Sequence, residues 1–71
     1  MTEEITLEQF RKRMKIARVE KDWTQRDLAF NSEISLTIIC QVENGVRKPT
    51  EKTVRAICRA MDMKVPTILD L

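Results

Sequence analysis

Few side chains in this sequence could take part in covalent or metal chemistry. The 71 residues contain two cysteines and no histidine. Cys40 and Cys58 are too far apart for a Cys-x-x-Cys motif, and the usual nitrogen ligand for zinc is missing. No paired carboxylates, glycine-rich phosphate loop or Cys–His arrangement can be assembled from the remaining residues. We therefore expect a protein that is not an enzyme, holds no metal, needs no cofactor and keeps both thiols reduced.

Basic groups offer the other kind of chemistry, which is the binding of phosphates. The formal net charge is only +2, but its distribution is uneven. Residues 1–10 carry three acids and no base, whereas residues 11–27 carry seven bases against three acids, and Arg47 and Lys48 form a second basic group. A basic run is more often a solvated helix face than a nucleic-acid footprint, so charge alone does not decide.

Length and composition are typical of one small soluble domain. Hydrophobic residues make up 42% of the chain and charged residues 34%, which describes a globular protein and not a disordered one. No apolar run approaches the roughly 20 residues of a membrane span. The acidic, polar N-terminus does not resemble a signal peptide. We expect a cytoplasmic protein without a membrane partner.

Any binding groups must be positioned by residues 23–45, which predict two short helices joined by a tight turn. Thr24 can cap the first helix, with an aspartate three positions later to complete a capping box, and Ser35 can cap the second. Gly45, the only glycine, follows Asn44 and suits the left-handed end of a helix. Helices this short cannot bury a core alone, so flanking helices must cover them.

The rest of the chain predicts three more helices, which gives a compact all-α fold of five helices. Residues 1–5 are expected to form a frayed leader, and Thr6 then caps the first helix. Thr50 caps the fourth helix, and a short fifth helix is expected to start near Pro66. The folded domain is therefore assigned to residues 6–71.

Three motifs carry a resemblance to a known family: TQRDLA, ISLTIICQVENG and RKP. They are similar to the lambda-repressor-like helix-turn-helix family, also called the XRE or Cro type, with its pattern TQxxLA, VSxxTIxxxExG and then a basic residue and Pro. The resemblance covers about residues 10–69. It implies a sequence-specific DNA-binding transcriptional regulator, a repressor that binds a palindromic operator on double-stranded DNA as a homodimer. The chain departs from the pattern at Asp22 and Glu33, where members usually have Gly.

The resemblance implies which residues read bases. In a helix-turn-helix the second helix enters the major groove, and its N-terminal residues meet base edges. Here those are Leu36, Thr37 and Ile38, with Gln41 one turn further on. Gln41 can bond an adenine edge through both amide atoms, and the apolar pair can pack on thymine methyls, so the readout should include A·T pairs. Alternatively Ile38 is partly buried and Leu36 is an ordinary surface residue, or the two form an exposed patch for a protein.

Phosphate contacts are expected at the start of the first motif helix and after the second. Gln25 lies where free amides and the helix dipole favour an anion. The other candidates are Asn44, Arg47 and Lys48, because Pro49 favours an extended backbone before it and should make the basic pair protrude. Such contacts hold the register but do not specify sequence. The alternative for Gln25 is an ordinary solvent-exposed glutamine at a helix start.

Two further roles follow from the resemblance. Arg18 near the end of the first helix is expected to pair with Glu43 as a structural ion pair. Ile68, Leu69 and Leu71 are expected to form the dimer contact, unless the first two simply close the core of a monomer. A second hypothesis for the whole chain is a protein-interaction module on the same fold, such as an antitoxin or an anti-repressor.

Overall fold

The computed structural model describes residues 2–71 and contains four α-helices between two short β-strands. The helix-turn-helix is present at the centre of the chain, as the capping pattern predicted. The elements follow the order β1 (Glu4–Ile5), α1 (Leu7–Glu20), α2 (Gln25–Ser32), α3 (Leu36–Glu43), α4 (Glu51–Ala60) and β2 (Thr67–Ile68).

Each helix begins where a capping side chain satisfies its free amides. The Thr6 hydroxyl accepts the N–H of Gln9 at 3.2 Å, while the Gln9 side chain accepts the N–H of Thr6 at 2.9 Å. Thr24 at the start of α2 forms the same reciprocal box. Ser35 and Thr50 cap α3 and α4. The four helix starts that were predicted from a capping residue are confirmed, since a cap depends only on residues close in sequence.

The predicted fifth helix is wrong, because the segment after α4 forms strand β2. This strand pairs in parallel with β1, and Ile5 lies opposite Ile68. The N–H of Thr67 donates to the carbonyl of Glu3 at 2.7 Å, and the N–H of Leu69 donates to the carbonyl of Ile5 at 2.9 Å. A segment this short nucleates a helix poorly, whereas β-branched Thr and Ile suit a strand. The fold is therefore mainly α-helical with one small sheet.

The N-terminal residues do not form the frayed leader that was expected. Ile5 is only 3% exposed and belongs to the core, because the strand pair turns its side chain inward. The Asp70 carboxylate accepts the N–H of Leu7 at 2.7 Å, so the C-terminal end satisfies a free amide at the start of α1. Met1, which was also assigned to the leader, lies outside the described residues.

One hydrophobic core joins all four helices to the sheet. Helix α2 packs against both α3 and α4, and α1 packs against α3. The side chains with no measurable exposure are Phe10, Met14, Leu28, Ile39, Val42, Ile57 and Cys58. Burial raises the pKa of the Cys58 thiol, so this sulfur stays protonated.

The turn between α2 and α3 keeps a left-handed residue although it contains no glycine. Glu33 has φ 60° and Asp22, between α1 and α2, has φ 58°, the two positions where the family usually has Gly. A side chain in this region costs roughly 1–2 kcal/mol. The cost is therefore tolerated, and the turn is not bent in another way.

We predict that Glu33→Gly stabilises the fold by about 0.5–1 kcal/mol, because Gly adopts this backbone without the penalty of a Cβ. Urea denaturation followed by circular dichroism measures the change in unfolding free energy. Glu33→Ala is the matched control, since it removes the carboxylate but keeps the Cβ. Equal stability of the two variants would contradict the assignment of strain to this turn.

Candidate nucleic-acid interface

A nearly buried ion pair holds α3 against α1. The Arg18 guanidinium donates to both carboxylate oxygens of Glu43, with Nη2–Oε1 2.7 Å and Nε–Oε2 3.1 Å, and its Nη1 donates to the carbonyl of Trp23 at 2.7 Å. The two charged side chains are only 12% and 4% exposed. The hydrogen bond with Glu43 raises the pKa of Arg18 further above its already high value. The expected structural pair is thus present, and it also ties down the entry to α2.

Much of the basic run on α1 is paired within the chain. Arg13 bonds Glu3, and this hydrogen bond lowers the pKa of the Glu3 carboxyl. The Lys12 Nζ lies 3.7 Å from the Oε1 of Glu8, one turn earlier in the helix. These exposed pairs contribute little stability, but they reduce the positive charge of that part of the helix. The charge count of the sequence therefore overstates how much of α1 is available to an anion.

The base-reading candidates divide into two groups. Thr37 is exposed, and Gln41 is partly exposed on the following turn of α3. Leu36 and Ile38 are partly buried and pack against the core. The alternative of a partly buried Ile38 is therefore correct, and the two side chains do not form a fully exposed apolar patch.

The loop after α3 folds back on the helix end. The backbone N–H groups of Val46 and Arg47 both donate to the carbonyl of Gln41, at 2.8 and 3.2 Å. The Arg47 side chain also donates from Nε to the Gln41 Oε1 at 2.7 Å. Arg47 was expected only to contact phosphate. In the structure it also orients the side-chain amide of Gln41, which was expected to read a base.

The phosphate candidates surround this end of α3 and the start of α2. Asn44, Arg47 and Lys48 are exposed. Gln25 is the first residue of α2 and is partly buried, and its Oε1 accepts a hydrogen bond from the Cys40 thiol at 3.0 Å. This bond between the two helices of the motif was not predicted, because it joins residues fifteen positions apart.

Arg11 is a further basic group at this surface that was not singled out. Its guanidinium carbon lies 3.4 Å from the point where a Cβ on Gly45 would stand. Arg11 and Arg18 are seven residues apart, hence on one face of α1. That spacing is the sequence signal that could have identified Arg11. In the structure Arg11 is a partly buried cation beside the loop of residues 44–48.

The three expected dimer residues do not form one surface. Ile68 is buried in the core of its own chain, so this residue closes the monomer. Leu69 is 63% exposed and Leu71 is 45% exposed. A contact with a second copy can therefore use the two leucines but not the isoleucine.

A family model described as helix-turn-helix matches residues 14–68, which is most of the chain. The chain belongs to the lambda-repressor-like helix-turn-helix family. Members of this helix-turn-helix family are DNA-binding domains and are typically not enzymes. Neither the curated proteins nor the solved structures gave a match.

The described residues also bear on two other features, a membrane-spanning helix and a metal site. Within residues 2–71, no helix combines the length and the apolar composition that crossing a membrane requires. Across the same part of the chain, no three Cys, Asp or Glu side chains are grouped so that they could hold a metal ion.

We predict that Glu43→Ala lowers the free energy of unfolding by roughly 3–5 kcal/mol, because it leaves the Arg18 charge nearly buried without its partner. Thermal and urea unfolding measure the loss. Glu51→Ala is the control, since it breaks the exposed pair with Arg55 and should cost less than about 1 kcal/mol. Similar losses for both variants would show that the Arg18–Glu43 pair is energetically an ordinary surface contact.

Proposed function

We propose that this protein is a sequence-specific DNA-binding transcriptional regulator that acts as a repressor in the cytoplasm. The observation that carries the proposal is the exposed face of α3, where Thr37 and Gln41 stand beside the basic loop of Arg47 and Lys48. Helix N-terminal residues of this kind fit the major groove of B-DNA. Leu36 and Ile38 keep part of their surface and can pack on thymine methyls at its edge.

Binding to a palindrome requires two copies of the chain. Leu69 and Leu71 are exposed apolar side chains that follow strand β2, and they support a contact between two copies. Two recognition helices related by a two-fold axis would read half-sites about one helical turn apart. Analytical ultracentrifugation measures the oligomeric state. Loss of the dimer in a Leu69→Asp variant that remains folded would assign the contact between the two copies to this segment.

The proposal is tested by selecting bound sequences from a random duplex pool with the purified protein. The best sequence is then titrated at two salt concentrations beside a random duplex of equal length. A converged palindrome that binds at least about a thousandfold more tightly than random DNA is the expected result. A pool that never converges, with weak binding only at low salt, would contradict sequence-specific regulation.

We predict that Gln41→Ala weakens binding to the best site by roughly 1–3 kcal/mol and relaxes the preference at one or two base pairs. The side chain loses a base contact, so random DNA should be affected less. Lys48→Ala is the control, because the loss of a phosphate contact weakens all sequences alike and reduces the salt dependence. Equal losses on specific and random DNA for Gln41→Ala would refute base reading by this residue.

Arg47→Ala is predicted to combine both effects. Removing the charge weakens all duplexes, and removing the bond from Nε to Gln41 frees the amide to rotate. The base preference at the position read by Gln41 should therefore broaden as well, by about 1 kcal/mol for a lost hydrogen bond. Titration against the best site and its single-base variants separates the two parts. A uniform loss across all of these duplexes would assign Arg47 to phosphate alone.

A protein-interaction module on the same fold is the second candidate. Its support comes from Phe30 at the solvent face of α2, which is 83% exposed. A partner that covers this ring would remove apolar surface from water, which favours association. A partner that binds wild type but not Phe30→Ser, together with no selectable DNA site, would favour this candidate over the regulator.

A further inference from the structure

We propose that Cys40 is a positioning residue for DNA binding, because its thiol fixes the side-chain amide of Gln25 so that the amide nitrogen faces the phosphate. This inference rests on the proposed function for the phosphate contact itself. It adds a role for a cysteine that has no other assigned chemistry, and it links the two helices of the motif through side chains.

The geometry places the thiol and the amide at the junction of α2 and α3. The Cys40 Sγ lies 3.0 Å from the Oε1 of Gln25, and both side chains are partly buried. Cys40 stands in the middle of α3 beside Gln41, and Gln25 opens α2. The bond therefore connects the helix that carries the base-reading candidates to the helix start that is proposed to bind a phosphate.

The direction of this hydrogen bond decides what Gln25 can present. A glutamine amide carries an acceptor oxygen and two N–H donors on nitrogen, and rotation by half a turn exchanges them. A phosphate oxygen accepts and does not donate, so only the nitrogen side can bind it. With the Cys40 S–H donating to Oε1, the nitrogen is directed away from the thiol. Within residues 2–71 no hydrogen bond from Gln25 Nε2 is present, so both donors remain for a ligand.

The location at a helix start adds to the same preference. Gln25 follows the N-cap Thr24, and the free amides of the first turn favour negative charge. A fixed donor side chain at this point costs less conformational entropy on binding than one that must first be ordered. The contribution of Cys40 is thus orientation in the free protein, and it needs no contact between sulfur and DNA.

A cycle of variants tests the inference: Cys40→Ala, Cys40→Ser, Gln25→Ala and the double variant Gln25→Ala with Cys40→Ala. The alanine removes the donor, whereas the serine keeps a hydroxyl donor on the same Cβ. We expect Cys40→Ala to weaken binding about two- to tenfold, the effect of one net hydrogen bond. The loss should be equal on the selected site and on random DNA, because phosphate contacts carry no sequence information.

Two readouts separate positioning from a general structural effect. Gln25 is neutral, so Cys40→Ala should leave the salt dependence of binding unchanged, unlike the loss of a lysine. In the Gln25→Ala background, Cys40→Ala should have no further effect. With Gln25 intact, Cys40→Ser should keep most of the affinity that Cys40→Ala loses. Urea unfolding of each variant reports any loss of fold on the same samples.

The free protein provides a check that involves no DNA. The side-chain amide resonances of Gln25 should become more mobile in Cys40→Ala and stay ordered in Cys40→Ser. Wild type that binds no duplex would overturn the proposed function and this inference together. Wild type that binds, with Cys40→Ala giving the same loss whether or not Gln25 is present, would overturn the positioning role alone.

Discussion

The bond of Arg18 to Glu43 and to the Trp23 carbonyl is the constraint on which the arrangement of the motif depends. One guanidinium satisfies a carboxylate from α3 and a backbone oxygen from the link into α2, so it fixes both helices relative to α1. Removing two charges from water is costly, and such a pair adds little net stability compared with apolar residues. Its value lies in orientation, because the pair is satisfied in one arrangement of the three helices.

The surface that faces outward is a consequence of that arrangement. Ile39 and Val42 are fully buried, which turns the opposite face of α3, with Thr37 and Gln41, towards solvent. Side chains then refine the surface. Arg47 bonds the amide of Gln41, so a basic residue from the loop is held against α3. Polar groups with fixed orientation bind a ligand more tightly than mobile groups do, because less ordering is needed on binding.

Local signals were sufficient to predict the four helices that are present, and contacts between distant residues explain the errors. A helix start can be predicted from a capping residue because the cap bonds a backbone N–H only three positions later. The four capping residues are Thr6, Thr24, Ser35 and Thr50. Strand β2 could not be predicted in the same way, since its partner lies more than sixty positions away in β1. The family motif supplied Arg18 and Glu43, which are present as a pair. The bond of Cys40 to Gln25 depends on how α2 and α3 pack, and no spacing in the chain specifies it.

The central claim is that DNA lies against the exposed face of α3 and the start of α2. The most direct measurement is a titration of the isotope-labelled protein with a duplex, with backbone and side-chain amide shifts followed by nuclear magnetic resonance. The account predicts that the largest changes fall on Gln25, Thr37, Gln41 and residues 44–48. Changes centred on Phe30, with α3 and its following loop unaffected, would contradict it.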